Sequence, residues 1–383
     1  MRIRILRISS AALLLLSLLQ PAGAAAEELP PVSAEAAAVA ETETGRILYE
    51  KNGTKRMKAA STVKILTAMV VLDRLDPALQ VRIRPEWTGI EGSSMYLRAG
   101  ETCTVEELLT GMLLVSGNDA ATALACLTAG SCEAFTALMN EKAAALGMED
   151  SRFADPSGLA SEDHWVTASD MARLGCAAMK YERLKTIVAS RTAEAAGKTI
   201  RNHNKLLWRY EGAVGIKTGY TRAAGRTLVS CAERDGVAFV CVTLNAPDDW
   251  NDHAALLDWA FSAFTRTRPA AEGWTLPVIS GEKPEAVLRP AEDISLLLPR
   301  SAEAAWTAEL PRFVYAPVKA GEEAGRLCCR DGDGRLLAEV PLVFASDVDV
   351  APGEALNFRE KLRWAWLYAC RHTSSRPQYV FYW

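Results

Sequence analysis

The amino-acid sequence predicts an α+β domain, in which an antiparallel sheet packs against a helix-rich insert, followed by a small all-β domain and a C-terminal amphipathic helix. Three observations carry this. Strand-like runs at residues 36–50 and 226–245 bracket a long stretch of helical apolar spacing, so sheet and helices are segregated rather than alternating. Beyond Phe264 the pattern changes to short β-like runs with a tight Asp331-Gly332-Asp333-Gly334 turn. Residues 356–370 then return to helical spacing, with Phe358, Leu362 and Trp366 at i, i+4 and i+8.

In chain order, residues 1–26 have a basic start (Arg2, Arg4, Arg7), an apolar run over 11–19 and small residues from Ala22 to Ala26 before Glu27. This is the layout of a secretory signal peptide, with cleavage expected after Ala24 or Ala26, and it marks the protein as exported. Residues 36–50 read as two strands joined at Thr44-Gly45, and Asn52-Gly53 as a turn. Residues 59–72 read as a buried helix, and 105–114, 118–127, 133–146 and 168–179 as amphipathic helices. The runs 226–232 and 237–245 form a second strand pair that can share one sheet with the first. Residues 249–264 return as a helix over that sheet, with Trp250, Leu257, Phe261 and Phe264 on its apolar face. The expected domains are thus 27–266, catalytic, and 270–350, β-sandwich-like, with Arg266-Thr267-Arg268-Pro269 as linker and 355–383 as tail.

Composition narrows the function classes. The chain has 383 residues, 49% hydrophobic and 23% charged, as expected of a folded protein, and a formal net charge of -4 with no basic stripe, which argues against nucleic-acid binding. No apolar run long enough to span a bilayer follows the signal, and neither a phosphate-binding glycine loop nor a long repeat is found. The nine cysteines are irregularly spaced and mostly sit in apolar runs, so they read as buried free thiols, Cys126 with Cys132 being the first pair to consider for a disulfide. His164, His203, His253 and His372 are scattered outside any ligand motif, so no metal and no cofactor is expected.

The chemistry begins in the 59–72 helix. Ser61 and Lys64 are three residues apart, hence neighbours on one helical face, which puts a hydroxyl nucleophile beside an amine. Val63, Ile65, Leu66, Met69 and Val70 surround the lysine with apolar groups that disfavour its ammonium form, and a neutral lysine can take the serine proton. Unpaired N–H groups at the helix start suit an oxyanion. Alone, Ser-x-x-Lys arises by chance about once or twice in a chain this long. Two further motifs join it. Ser116-Gly117-Asn118 lies in a short loop between helices, and Lys217-Thr218-Gly219 on an edge strand where glycine permits close backbone approach. Each has an ordinary reading, Ser116 as a helix cap and Lys217 as a solvated strand lysine, but the ordered set of three is hard to obtain by accident.

With these motifs the sequence resembles the penicillin-binding proteins and serine β-lactamases, and more closely the low-molecular-weight penicillin-binding proteins that act as serine D-alanyl-D-alanine carboxypeptidases. The resemblance spans about residues 36–350 and includes Thr44-Gly45-Arg46-Ile47-Leu48-Tyr49, Gly92-Ser93-Ser94-Met95-Tyr96-Leu97, Asp155-Pro156-Ser157-Gly158-Leu159 and Lys217-Thr218-Gly219-Tyr220-Thr221. Ala59 stands where the family usually has proline. It implies a β-lactamase/transpeptidase-like catalytic domain. Ser61 would attack the terminal peptide bond of stem peptides ending in D-Ala-D-Ala, or a β-lactam, with Lys64 as proton acceptor. Ser116 would relay a proton to the leaving amine, held by Lys64 and Lys217; Asn118 would bind the substrate amide or Lys64. Lys217 and Thr218 would draw in the substrate carboxylate, with Arg222 or Arg226 assisting, and the backbone N–H groups of Ser61 and Tyr220 would form the oxyanion hole beside Gly219.

Two alternatives remain. A class A β-lactamase needs a glutamate for deacylation, and residues 131–214 lack a Glu-x-x-Leu-Asn to supply it. A β-lactam or peptidoglycan sensor would acylate without turnover. The tail segment carries Arg359, Lys361, Arg363 and Arg371 beside Trp364 and Tyr368, so it can lie in an anionic membrane surface on the outer face of the cytoplasmic membrane. The competing expectation is a helix docked on its own β-domain. The aromatic end at 379–383 has no assigned role.

Overall fold

The computed structural model describes residues 29–159, 162–270, 273–353 and 357–371, so the signal segment and the aromatic end lie outside the described residues. The first domain is built on a five-stranded antiparallel sheet: β1 (Ala36–Glu41), β2 (Ile47–Lys51), β3 (Ala213–Thr221), β4 (Gly225–Arg234) and β5 (Val237–Leu244), in the order β2-β1-β5-β4-β3. Strand β1, held between β2 and β5, is buried along its whole length. Ala36, Ala38 and Ala40 face the core shared with the helical insert, while Ala37 and Val39 face Leu256, Leu257 and Ala260. A strand covered on both faces loses the polar alternation of a half-exposed one, and small residues let both layers approach.

The insert contains α1 (Lys64–Leu72), α2 (Val105–Leu114), α3 (Asn118–Ala129), α4 (Cys132–Ala145), α5 (Ala168–Ala178) and α6 (Glu182–Ala189); α7 (Asp249–Ala263) covers the other face of the sheet. Local chemistry sets the ends. Thr104 and Glu107 close a reciprocal capping box on α2, and Gly130, at φ +85°, turns the chain out of α3 before Ser131 caps α4. The first turn of the Ser61 segment is 3-10 (Ala60–Val63), and the α-helix starts only at Lys64. Helix α6 and the hairpin Thr192–Ala195 with Lys198–Arg201 were not foreseen from the sequence; α6 buries only Leu184, Ile187 and Val188, too few apolar positions to stand out in a window.

The second domain is one six-stranded sheet around a core of Leu276, Leu288, Leu327, Val340, Leu342 and Phe344. The expected linker is partly ordered: Phe264–Thr267 pairs with Leu296–Pro299, and Arg266 is clamped to Glu41 and Glu43 of the first domain. A buried carboxylate, Glu41, and an exposed one, Glu43, thus anchor a strand in what reads as linker composition. Helix α8 (Phe358–Arg371) leaves Phe358, Leu362 and Trp366 at 76%, 56% and 67% exposure, so those three side chains are not docked on the β-domain; among the described residues Lys361 meets Tyr315, which donates its hydroxyl to the Lys361 carbonyl and lies under the Lys361 amine. Among the described residues no single helix is long and apolar enough to cross a membrane. The described cysteines are free thiols, and the Sγ atoms of Cys126 and Cys132 are 4.0 Å apart.

Candidate active site

Ser61, Ser116, Thr218 and Gly219 line one cleft of about 1040 Å³ between the edge strand β3 and the helical insert. Three segments far apart in sequence meet there because α1 passes behind the sheet edge while the loop between α2 and α3 closes over it. Three residues at the cleft hold positive φ without being glycine, Ala60 at +48°, Tyr96 at +60° and Ser116 at +64°, and two of them place backbone strain at or beside the serines.

Lys64 is fully buried. Its Nζ lies 2.9 Å from Ser61 Oγ, 2.7 Å from Asn118 Oδ1 and 2.7 Å from the Ser157 carbonyl. An ammonium would donate to all three, whereas a neutral amine donates to two and accepts from the third. Asn118 Oδ1 and the Ser157 carbonyl can only accept, so in the neutral form the Ser61 hydroxyl must donate to Nζ. Burial is the largest cause holding the Lys64 pKa well below its ordinary 10.5, with repulsion from Lys217 adding to it and Asp155 and Asp119 opposing. Lys217 is also buried and is pushed down to about 7 by desolvation alone. The Lys217 Nζ donates to the Thr218 carbonyl at 2.9 Å, and its charge, when present, is what disfavours a second charge on Lys64.

The loop Asp155-Pro156-Ser157-Gly158 matters more than the sequence indicated. Asp155 Oδ1 accepts from Ser157 N, Ser157 Oγ and Gly158 N at 2.7 Å each, turning the Ser157 carbonyl onto Lys64. Burial alone would raise the Asp155 pKa, but its bonds with His164 and Ser157 outweigh that and lower it. A Cβ at Gly158, where φ is +83°, would stand 2.0 Å from the Ala60 carbonyl, so glycine alone lets the loop reach the turn that carries Ser61. Gly219 plays the same part on the other side, because a Cβ there would stand 3.0 Å from Ser61 N and 2.4 Å from Thr227 Oγ1. The Ser61 amide nitrogen therefore lies against β3 just before Tyr220, which is 69% exposed.

One expectation needs correction. Ser116 bonds neither lysine: its buried Oγ has no hydrogen-bond partner among the described residues, since Asn118 and the Ser157 carbonyl occupy Lys64 and the Thr218 carbonyl occupies Lys217. Asn118 does bind Lys64, while its Nδ2 donates to the Glu91 carbonyl at 2.6 Å. Of the two arginines named, Arg226 lines the cleft. Arg226 stands opposite Tyr220 in the β3–β4 register, and its Nε and Nη2 donate to Asp249 Oδ1 at 2.9 and 2.8 Å. Asp249 was not foreseen, for nothing local in Asp248-Asp249-Trp250 marks it. Among the described residues no group of side chains could hold a metal ion.

A family model described as D-alanyl-D-alanine carboxypeptidase matches residues 23–248. The D-alanyl-D-alanine carboxypeptidase DacF of Bacillus subtilis is 31% identical over 340 residues, covering 83% of this chain and 86% of the relative. The D-alanyl-D-alanine carboxypeptidase DacC of Escherichia coli is 33% identical over 361 residues, covering 87% and 90%. Among solved structures, penicillin binding protein 5 from Haemophilus influenzae is similar with a TM-score of 0.65 and 26% identity, over 84% of this chain and 99% of that one. A peptidoglycan synthesis regulatory factor from Streptococcus pneumoniae is similar with a TM-score of 0.69 and 26% identity, over 83% and 100%.

Proposed function

This chain belongs to the D-alanyl-D-alanine carboxypeptidase family, serine peptidases of the penicillin-binding kind, and from that premise we propose that Ser61 carries the acyl-enzyme and Lys64 activates it. The observation that carries this is the contact between Lys64 Nζ and Ser61 Oγ, with the two remaining bonds of the amine fixed by Asn118 and Ser157. Ser61 Oγ attacks the carbonyl of the terminal D-Ala-D-Ala bond as its proton passes to Lys64 Nζ, and the N–H groups of Ser61 and Tyr220 hold the oxyanion. Ser116 hands a proton to the departing amine and receives in turn the one that Lys64 took from Ser61, D-alanine leaves, and water hydrolyses the ester, restoring the Ser61 hydroxyl. A β-lactam acylates the same serine.

The substrate carboxylate has two partners. Lys217 and Thr218 stand on one side, and Arg226, oriented by Asp249, is the permanently charged group beside the oxyanion strand. For Arg226→Gln we expect kcat/KM on an acyl-D-Ala-D-Ala peptide to fall by roughly 10–100-fold while a C-terminal amide analogue changes little. Equal losses on both would assign Arg226 a structural role only.

Among the described residues Asp249 is the one acid lining the cleft, and it is committed to Arg226, which supports slow deacylation rather than a class A β-lactamase. The deciding experiment incubates the chain with an acyl-D-Ala-D-Ala peptide and, separately, a labelled penicillin. Release of D-alanine together with long-lived label is expected. Stable label without D-alanine would indicate a sensor, and rapidly lost label a lactamase.

The exposed Phe358, Leu362 and Trp366 stripe on a basic helix supports attachment to an anionic membrane surface, and the basic, apolar and small-residue order of 1–26 supports export to its outer face. A chain ending at residue 355 should fail to sediment with vesicles containing anionic lipid; undiminished sedimentation would place the anchor elsewhere.

A further inference from the structure

We propose that the wall of the cleft formed by residues 201–209 is a subsite for free carboxylates of the substrate peptide ahead of its D-Ala-D-Ala end, so that the enzyme selects acidic over amidated peptides. The inference rests on the carboxypeptidase reading above and goes beyond it in naming the substrate class.

The wall alternates. Asn202 and Asn204 are buried and hydrogen-bonded to the fold: Asn202 Nδ2 donates to the Val188 and Ser190 carbonyls, and Asn204 Nδ2 to the Gly215 carbonyl at 2.8 Å. The residues between and around them, Arg201, His203 and Lys205, are exposed and line the cleft, as does Arg209 on the short turn that follows. The segment is tied to both catalytic motifs, through His203 N to the Leu114 carbonyl, two residues before Ser116, and through Asn204 to Gly215, two residues before Lys217. Arg201, Lys205 and Arg209 therefore ride on the same framework as the reacting groups.

Their charge is not spent inside the protein. Among the described residues Arg201, Lys205 and Arg209 form no ion pair; Arg201 stacks on the Trp208 ring at 4.8 Å, which orients its plane without neutralising it. Of the other two cleft cations, Lys198 donates to the Met95 and Tyr96 carbonyls and Arg226 holds Asp249. Five lysines and arginines thus line a cleft with a single acid, in a chain whose formal net charge is -4. A concave wall of one sign concentrates anions. Because the wall opens into the same cleft as Ser61, the anion in reach is the remainder of the peptide whose end lies at that serine.

The test uses the full chain and two acyl-D-Ala-D-Ala peptides that differ only in whether the side-chain carboxylates ahead of the terminal pair are free or amidated. The free peptide is expected to have about tenfold higher kcat/KM at low salt, a ratio that shrinks as salt is raised. The triple variant Arg201→Gln, Lys205→Gln, Arg209→Gln should bring the ratio close to one, while its acylation by benzylpenicillin, which has no upstream peptide, shows that the site is intact. Equal use of the two peptides by the unmodified chain, or a ratio that survives in the variant, overturns the subsite. Polyphosphate inhibiting both peptides alike, with no preference between them, also overturns it, by showing a general anion patch. Failure to release D-alanine from either peptide would instead refute the carboxypeptidase reading, and the subsite with it.

Discussion

Replacing Ser61 with alanine is expected to lower kcat/KM on an acyl-D-Ala-D-Ala peptide by roughly 10⁴–10⁶-fold and to abolish covalent labelling by penicillin. The reason lies in the division of labour at Lys64. Its bonds to Asn118 and Ser157 persist in the variant, so the framework stays formed while the atom that accepts the acyl group is gone. Stability should change by less than about 1 kcal/mol, because the lost hydroxyl is half-exposed and contacts only the amine. Measuring D-alanine, bound label and thermal midpoint on one preparation separates this from unfolding. Retained labelling would remove Ser61 from the mechanism.

Lys64→Met is expected to reduce acylation by about 10³–10⁴-fold, the range of a lost general base. Methionine fills much of the same buried space, but Asn118 Oδ1 and the Ser157 carbonyl lose their donor, at about 1–3 kcal/mol each, partly offset by no longer burying an amine. The companion experiment is a pH profile. Lys64 must be neutral to act, and both its burial and the charge of Lys217 lower its pKa. In Lys217→Gln the repulsion disappears, the Lys64 pKa rises towards 10.5, and the acid limb of the acylation profile must move to higher pH. A limb that stays in place would mean that desolvation alone sets it. Stability follows the same sign: above the folded pKa the unfolded chain holds a proton that the folded one has shed, so stability rises with pH up to the ordinary lysine range near 10.5.

Most of the first domain could be read from periodicity. The helices α2, α3, α4, α5 and α7 and the strands β1, β2, β4 and β5 lie where apolar spacing placed them, because each buries one side of a regular element. Helix α6 and the 192–201 hairpin escaped because their burial comes from neighbours rather than from their own pattern. Arg266 shows the limit in another form: its strand is held by Glu41 and Glu43, more than 220 residues away in sequence.

By itself the sequence determined the chemical inventory: the Ser61–Lys64 spacing on one helical face, the Ser116–Asn118 loop, the Lys217-Thr218-Gly219 strand, and the segregated sheet and helices that carry them. These are local quantities, set by the 3.6- and 2-residue periods of the backbone. Tertiary structure decided the rest. It lowered the pKa of both buried lysines, since desolvation depends on everything packed around an amine. It turned the Ser157 carbonyl, 93 residues from Lys64, into the group that orients the base. It gave Arg226 its partner Asp249, and it left Ser116 without one. Charge, burial and hydrogen-bond partners at a site are sums over neighbours brought together by folding, and no window of sequence contains those neighbours.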